Sequence, residues 1–178
     1  PLIEVEGRPI IEHVINMFNG EKDFIFICNK DHLNNTNMAN ILEICCPSGK
    51  IVGIENHKKG PVYAVSKVFN MIDENEPVFI NYCDFSCYWD YKNLIKHINN
   101  SNLDGLIPAY KNFHPHSLNN NNYAFMKVKD NLLVEIKEKE AFTNNKMNEF
   151  ASSGTYFFKK DKYIKKYFLE LMKREISI

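Results

Sequence analysis

The sequence predicts an α/β protein, a three-layer α/β/α sandwich on a Rossmann-like, mixed and mainly parallel sheet. Short uncharged apolar runs, such as Phe24–Cys28 and Val78–Tyr82, are typical of strands buried on both faces of a parallel sheet. Amphipathic helical patterns alternate with these runs through the first half of the chain. A chain of 178 residues with 44% hydrophobic residues is long enough and apolar enough to bury the core of such a fold.

Each element of the first half follows from a local pattern of apolar residues and turn formers. Pro9 suits the first position of a helix, whose apolar face begins at Ile10, and Gly20 ends that helix. The predicted elements are an extended segment Pro1–Val5, a turn at Gly7–Pro9, this first helix, a strand Phe24–Cys28, a helix Met38–Cys45, a strand Ile51–Ile54, a helix with apolar residues from Val62 to Ile72, a strand Val78–Tyr82, a helix marked by Tyr91, Leu94, Ile95 and Ile98, and a strand Leu103–Tyr110.

The second half changes character after a long polar loop, Asn112–Asn122, which holds His114 and His116. Two strands around Asp130-Asn131 are predicted to form a hairpin. The predicted elements are strands Tyr123–Lys129, Leu132–Lys137 and Gly154–Phe158, followed by an amphipathic helix from Tyr163 to Met172. Neither an internal repeat nor a linker is visible, so residues 1–178 are predicted to form a single domain.

Composition excludes several classes of protein. Lys plus Arg and Asp plus Glu both total 22, so the formal net charge is zero, which argues against a broad nucleic-acid-binding surface. No uninterrupted apolar segment approaches the roughly 20 residues of a membrane span. Five cysteines, an odd number, favour reduced thiols in a cytoplasmic protein. The aromatic neighbours of Cys83 and Cys87 favour core packing over metal binding.

Asp84 is the first candidate for chemistry, because it follows the predicted buried strand Val78–Tyr82. Ligands of open α/β sheets bind outside the carboxyl ends of such strands, and a carboxylate there suits a hard cation such as Mg²⁺. A turn or capping role is the alternative, since Asp is common after strands.

Three further groups of residues are candidates with structural alternatives. Gly60-Pro61 follows a strand and a polar loop, where a ligand can approach the backbone closely, although the residues taken alone favour a plain helix start. Glu138-Lys139 is either a ligand-binding pair or exposed charge. His114 and His116 suit phosphate or hydroxyl contacts better than zinc, because no further clustered ligands adjoin them.

Taken in order, several motifs resemble those of the sugar-phosphate nucleotidylyltransferases, the NDP-sugar pyrophosphorylases. PLIEVEGRPIIEHVI is similar to the segment that follows the family's glycine-rich signature, and GPVYAVSKVF resembles its base-binding loop and helix. FINYCDF resembles its strand with the metal-binding aspartate, EIKEKEAF its Glu-Lys motif, and ASSGTYFF its later glycine strand. The combination with HPHSL and YAF looks closest to a capsule or surface-polysaccharide branch, and the resemblance covers essentially the whole chain.

The resemblance implies that a sugar 1-phosphate, or a similar phosphate monoester, attacks the α-phosphate of an NTP and releases pyrophosphate. Asp84 and Lys139 are the implied catalytic residues, with Asp84 holding Mg²⁺. The implied nucleotide site comprises Gly60, Pro61 and Asp84, and the implied acceptor site comprises Glu138, Lys139, Gly154, His114 and His116. The expected partners are the two substrates, with no nucleic acid and no membrane; the oligomeric state stays open, a homo-oligomer included.

The sequence also departs from the family's pattern. The G-x-G-x-R phosphate loop is expected before Pro1 and the second metal-binding aspartate after the final Ile178. The chain is therefore expected to be a fragment that is inactive by itself. Glu140 replaces the proline of the family's Glu-Lys-Pro motif. The alternatives are a metal-dependent glycosyltransferase of the same fold, which usually carries Asp-x-Asp at the strand end, and a non-catalytic nucleotide-binding domain.

Overall fold

The structure is a computed structural model that describes residues 1–114 and 122–174. The described residues divide into two compact units whose segments alternate along the chain. The first unit comprises Pro1–Val78, Cys83–Asp104 and the residues from Phe158 onward, and the second comprises Phe79–Tyr82 and the described residues between Gly105 and Phe157. Within these residues, no helix has both the length and the apolarity that crossing a bilayer requires.

The first unit contains a parallel pair of strands and most of the helices described. Its elements, in order, are β1 (Glu4–Val5), β2 (Arg8–Pro9), α1 (Ile10–Met17), β3 (Ile25–Asn29), α2 (Lys30–Asn35), α3 (Met38–Cys45), β4 (Lys50–Ile54), α4 (Gly60–Ser66), a 3₁₀ turn (Phe69–Met71), α5 (Tyr91–Asn100) and α6 (Asp161–Lys173). Strands β3 and β4 are parallel, with Ile25 opposite Lys50 and Asn29 opposite Ile54. Both strands therefore deliver their carboxyl ends to the same edge.

The core of this parallel pair comes from the two amphipathic helices that the sequence predicts best. Ile11 and Val14 of α1 pack with Met38 and Leu42 of α3, and the partly buried Phe26 joins them from β3. Helix α3 has the predicted bounds, because apolar residues at helical spacing give it one face to bury.

The second unit is mainly an antiparallel sheet. Its strands are β6 (Gly105–Leu106), β7 (Ala109–Tyr110), β8 (Ala124–Lys129), β9 (Leu132–Glu138), β10 (Phe150–Ser152) and β11 (Thr155–Phe158). Four of them pair in the order β7-β10-β8-β9, with antiparallel registers, and β5 (Val78–Asn81) joins β11 and β6 in the order β5-β11-β6. The predicted mixed pairing is thus confirmed in part: β3 and β4 pair in parallel and the four-stranded sheet is antiparallel.

Two predicted elements are wrong in their extent. The strand Leu103–Tyr110 is divided into β6 and β7, which belong to different sheets. Pro108 lies between them and lacks a backbone N–H, so one continuous ladder is disfavoured there. The helix predicted to continue to Ile72 ends at Ser66, whose hydroxyl donates to the Tyr63 carbonyl at 2.7 Å.

Helix α2 and strand β10 were not predicted. Helix α2 begins at Lys30, because the Asn29 side chain accepts the Asp31 N–H at 2.7 Å and so caps the helix. Strand β10 was missed because its three residues are too few to show a period. The prediction that Cys83 packs in the core is also wrong, since Cys83 is exposed and Cys87 is only partly buried.

Candidate active site

A cavity of about 210 Å³ lies at the carboxyl ends of β3 and β4, in the first unit. Its wall comes from the last residues of both strands, the segment after β4 and one residue of α4. The lining residues are Ile27, Cys28, Asn29, Ile54, Glu55, Asn56, His57 and Ala64. This is the edge of a parallel sheet at which α/β proteins bind ligands. The lining of the cavity combines apolar side chains with polar ones.

The Cys28 thiol in this wall is neutral at physiological pH. Burial raises the pKa of Cys28 to about 11, and the nearby Cys83 thiol adds to the effect. A neutral thiol behaves as a small apolar group, so Cys28 contributes packing surface rather than charge to the cavity.

Gly60 and Pro61 begin α4, just beyond the segment that lines the cavity. Gly60 has a φ of 75°, a backbone conformation that glycine adopts without strain. The preceding turn is held by the Lys59 N–H, which donates to Nδ1 of His57 at 3.2 Å, and the His57 ring meets the Tyr63 ring edge-on at 4.7 Å. Gly60, where a ligand is predicted to approach the backbone closely, therefore lies in the chain between His57 and Ala64, which both line the cavity.

Lysine side chains surround the Tyr63 ring on the first turn of α4. Lys59 Nζ lies 4.8 Å and Lys67 Nζ 4.3 Å from the ring centroid. The hydrogen bond from Lys67, together with the charges of Lys67 and Lys59, lowers the pKa of Tyr63. The surroundings of the Tyr63 ring are locally cationic although the chain as a whole is neutral, which suits an anionic ligand.

Asp84 lies three residues beyond the end of β5, in a turn, with its side chain exposed. Mg²⁺ is commonly bound by one or two carboxylates, with waters and substrate phosphates completing its six oxygen ligands. Among residues 1–114 and 122–174, no three His, Cys, Asp or Glu side chains gather into a metal site. The binding of Mg²⁺ by Asp84 therefore stays a prediction.

Glu138 and Lys139 lie where β9 ends, in the second unit. Glu138 is the last residue of β9, opposite Ala124 of β8, and the Lys139 N–H donates to the Tyr123 carbonyl at 3.2 Å. Lys139 has a φ of 55°, in the left-handed region. A residue before proline is pushed toward extended conformations, so Glu140 in place of the family's proline permits this turn.

His114 is the second candidate that adjoins Tyr123. Its ring lies 5.7 Å from the Tyr123 ring, nearly perpendicular to it, and 5.2 Å from the Tyr110 ring. Tyr123 thus contacts both candidates: its ring meets the ring of His114, and its carbonyl accepts the backbone N–H of Lys139. His116 lies outside the described residues.

Gly154 precedes β11 and has a φ of 77°. A Cβ at this position would lie 2.7 Å from Cδ2 of Tyr82, so glycine is required by the close approach of that ring. The Gly154 N–H donates to the Ser152 hydroxyl at 3.1 Å. The contact between Gly154 and an acceptor stays a prediction. The close approach of Tyr82 is the structural reason for a glycine here.

Glu149 holds the loop after Lys139, and no sequence pattern indicated this role. Its carboxylate accepts the Phe142 N–H at 2.8 Å, the Thr143 N–H at 2.7 Å and the Thr143 hydroxyl at 2.6 Å. Burial opposes its ionisation, but these hydrogen bonds and the charge of Lys137 hold the pKa of Glu149 below its usual value. Glu149 therefore fixes the loop that continues from Lys139.

Lys137 fixes the near end of the same loop. Its Nζ pairs with Oε1 of Glu140 at 2.6 Å and lies 5.0 Å from the centroid of the Phe142 ring. The hydrogen bond that Lys137 donates to Glu140 raises the pKa of Lys137 despite partial desolvation, and the neighbouring acids add to the effect. The turn that carries Lys139 is thus held on both sides by ionic groups.

Solved structures of sugar-nucleotide enzymes share this fold. A protein from Bacillus anthracis, assigned as a glucose-1-phosphate thymidylyltransferase and solved with sucrose, matches with a TM-score of 0.71 and 15% identity over 92% of this chain. A UDP-glucose pyrophosphorylase with UDP-glucose matches at 0.65, with 12% identity over 89% of this chain and 67% of its own. A CMP:2-keto-3-deoxy-manno-octonic acid synthetase with CTP matches at 0.64, with 12% identity over 94% and 69%.

At these identities the likeness shows the fold, which is the α/β fold of the nucleotide-diphospho-sugar transferases, as predicted. The chain spans 63% of the length of the thymidylyltransferase structure. The sequence profile of the nucleotidyl transferase family matches residues 1–177. The chain therefore belongs to the nucleotidyl transferase family. A comparison with curated protein sequences gives no significant match.

Proposed function

We propose that the protein is a nucleotidylyltransferase that joins an NTP to a sugar 1-phosphate, or a similar phosphate monoester. The observation that carries the proposal is the family match over residues 1–177. Structural neighbours solved with UDP-glucose and with CTP support the substrate class. A phosphate oxygen of the acceptor forms a bond to the α-phosphorus of the NTP, the bond from that phosphorus to the bridging oxygen breaks, and pyrophosphate leaves.

The reaction brings two anions together, so it depends on positioning and on charge neutralisation more than on covalent help. Gly60 and Pro61 lie against the base, and Asp84 holds Mg²⁺. That ion, when bound, offsets the charge of the phosphate oxygens. The cationic surroundings of Tyr63 support an anionic ligand in the first unit.

The acceptor site is assigned to the second unit. Glu138 accepts hydrogen bonds from acceptor hydroxyls, and Lys139 pairs with the acceptor phosphate as a compact charge. His114 and His116 are assigned to contacts with that phosphate, and Gly154 is assigned to a contact with the acceptor. The pairing of His114 and Lys139 with Tyr123 supports a shared role for them.

The biological role proposed is the biosynthesis of a capsule or other surface polysaccharide, in the cytoplasm. The motifs HPHSL, EIKEKEAFTNN and ASSGTYFF support the role in polysaccharide biosynthesis. Five free cysteines support the cytoplasmic location.

The test is pyrophosphate release by the full-length protein with each NTP and a panel of sugar 1-phosphates. Asp84→Asn keeps the size of the side chain and removes its charge, so we expect the rate to fall about 100-fold or more. Asp23→Asn, at another exposed carboxylate of the first unit, is the matched control and should keep the wild-type rate. An Asp84→Asn rate equal to that of the control contradicts the metal assignment.

A second pair of variants tests the acceptor site. Lys139→Ala should raise the KM for the acceptor, whereas Lys129→Ala, an exposed lysine in the same hairpin, should leave it unchanged. Absence of pyrophosphate release with every substrate pair contradicts the proposed function as a whole.

A further inference from the structure

A carboxylate stands at the cavity beside the parallel strands, and the proposed reaction gives it no role. Glu55 follows β4 directly and lines the cavity. Its Oε1 lies 2.5 Å from Nζ of Lys30, the first residue of α2. A negative and a positive group thus stand together at one edge of the cavity.

This ion pair is open to competition from a ligand. The side chain of Glu55 is 80% exposed and that of Lys30 is 51% exposed. Exposed pairs contribute little to stability because water screens both charges, so a ligand that satisfies both groups displaces little. The pair therefore contributes little to the stability of the fold and is accessible to the polar edge of a ligand.

The rest of the cavity suits a flat, partly apolar group. Ile27, Ile54 and Ala64 supply apolar surface, and the neutral thiol of Cys28 adds to it. The side-chain oxygen of Asn29 already accepts the Asp31 N–H. Glu55 is consequently the acidic acceptor that the cavity offers to an incoming donor.

We infer that Glu55 selects nucleotides whose base carries an exocyclic amino group. The inference rests on the proposed function and names the base that this reaction uses. An ionised carboxylate only accepts hydrogen bonds, so it binds the amino group of cytosine, guanine or adenine. Lys30 donates to the neighbouring ring nitrogen or carbonyl of the same base. Uracil and thymine lack the amino group and offer only one ring N–H between two carbonyls, whose oxygens the carboxylate repels, so they bind it less well.

Direct binding tests this selection without relying on turnover. The full-length protein is titrated calorimetrically with CTP, GTP, ATP, UTP and dTTP at one Mg²⁺ concentration. At least one of the three amino-bearing nucleotides should bind about tenfold or more tightly than UTP and dTTP, as expected for a hydrogen bond to a charged group.

Glu55→Gln is the informative variant, because an amide of the same shape also donates a hydrogen bond. It should reduce the preference over UTP and dTTP about tenfold, through weaker binding of the preferred nucleotide and stronger binding of the two others. Glu43→Gln, on the exposed side of α3, removes the same charge elsewhere in the first unit and should leave all five affinities unchanged.

The outcomes separate this inference from the proposed function. Tighter binding of UTP or dTTP by the unmodified protein, or a Glu55→Gln preference equal to that of Glu43→Gln, overturns the inference while leaving nucleotidyl transfer intact. Binding of none of the five nucleotides overturns both.

Discussion

At the scale of single residues, two glycines show how backbone conformation and a side-chain contact each restrict substitution. Gly154 combines a φ of 77° with a ring carbon of Tyr82 at 2.7 Å from the point where a Cβ would lie. Gly7 has nearly the same φ, 73°, with open space where its Cβ would be. The two glycines therefore separate the cost of the left-handed backbone from the cost of the contact.

Gly154→Ala should destabilise the protein more than Gly7→Ala does. The backbone cost alone is about 1–2 kcal/mol, and the contact with Tyr82 should add about 1–3 kcal/mol. Urea unfolding of both variants measures the difference. Adding Tyr82→Ala should recover the contact part only, and equal losses for the two glycine variants would show that the ring yields freely.

Glu149 gives the loop after Lys139 a dependence on pH. Its pKa lies below the usual value near 4.3 because the folded state stabilises the carboxylate. A depressed pKa contributes stability above the unfolded-state pKa, and this contribution is lost as the pH falls through the folded-state pKa.

Glu149→Gln should cost about 1–3 kcal/mol at pH 7, because an amide oxygen replaces a charged acceptor of three hydrogen bonds. The difference from the unmodified protein should shrink as the pH falls through the lowered pKa of Glu149, because the carboxylate is then protonated. Thermal unfolding across this range tests it, with Glu135→Gln on β9 as the control. A difference that is constant with pH would contradict the charged role of Glu149.

At the scale of the elements, two residues determine the turn that joins β8 to β9. Asp130 and Asn131 have φ values of 52° and 61°, so the two-residue turn is left-handed at both positions. Such turns match the twist of the flanking strands, and Asp and Asn tolerate the conformation better than other residues with a Cβ. The turn places Lys129 opposite Leu132, and an irregularity between Lys127 and Val128 then shifts the register by one residue, so that Glu138 lies opposite Ala124.

Replacing Asn131 tests this turn. Asn131→Gly should leave the stability within about 0.5 kcal/mol, because relief of backbone strain is offset by the greater entropy of unfolded glycine. Asn131→Val should cost about 1–2 kcal/mol, since a β-branched residue is a poor fit at positive φ. Thermal unfolding of the pair decides the point, and a valine variant as stable as the glycine variant would contradict the turn assignment.

At the scale of the whole molecule, the two compact units are not consecutive stretches of sequence. Val78 and Phe79, neighbours in β5, fall in different units, as do Phe157 and Phe158 in β11. The sole tryptophan, Trp89, lies in the first unit, where its indole N–H donates to the Met17 carbonyl at 2.6 Å. Its fluorescence therefore reports on one unit, whereas circular dichroism reports on both.

Because two strands run through the division, we expect the chain to unfold in one cooperative transition. Urea titrations followed by Trp89 fluorescence and by far-ultraviolet circular dichroism should have the same midpoint. Two separated transitions would show that the units unfold independently and would contradict the single domain predicted from the sequence.

Much of the fold was predictable because it rests on local patterns. The bounds of α3 and the two-residue turn at Asp130-Asn131 were predicted from adjacent residues alone. The motifs around Gly60 and Asp84 likewise indicated the family to which the chain belongs. The division of the strand at Pro108 was missed, because the sequence shows where a ladder weakens but not which strands take up the two halves.

The sequence by itself determined α1 and α3, the hairpin and the family, because period, turn chemistry and short motifs act between neighbours in the chain. Tertiary structure decided the rest: Tyr82 against Gly154, Glu149 across the loop after Lys139, and Glu55 at the cavity. Such contacts join residues on separate elements, and folding alone brings them within range of packing and hydrogen bonding.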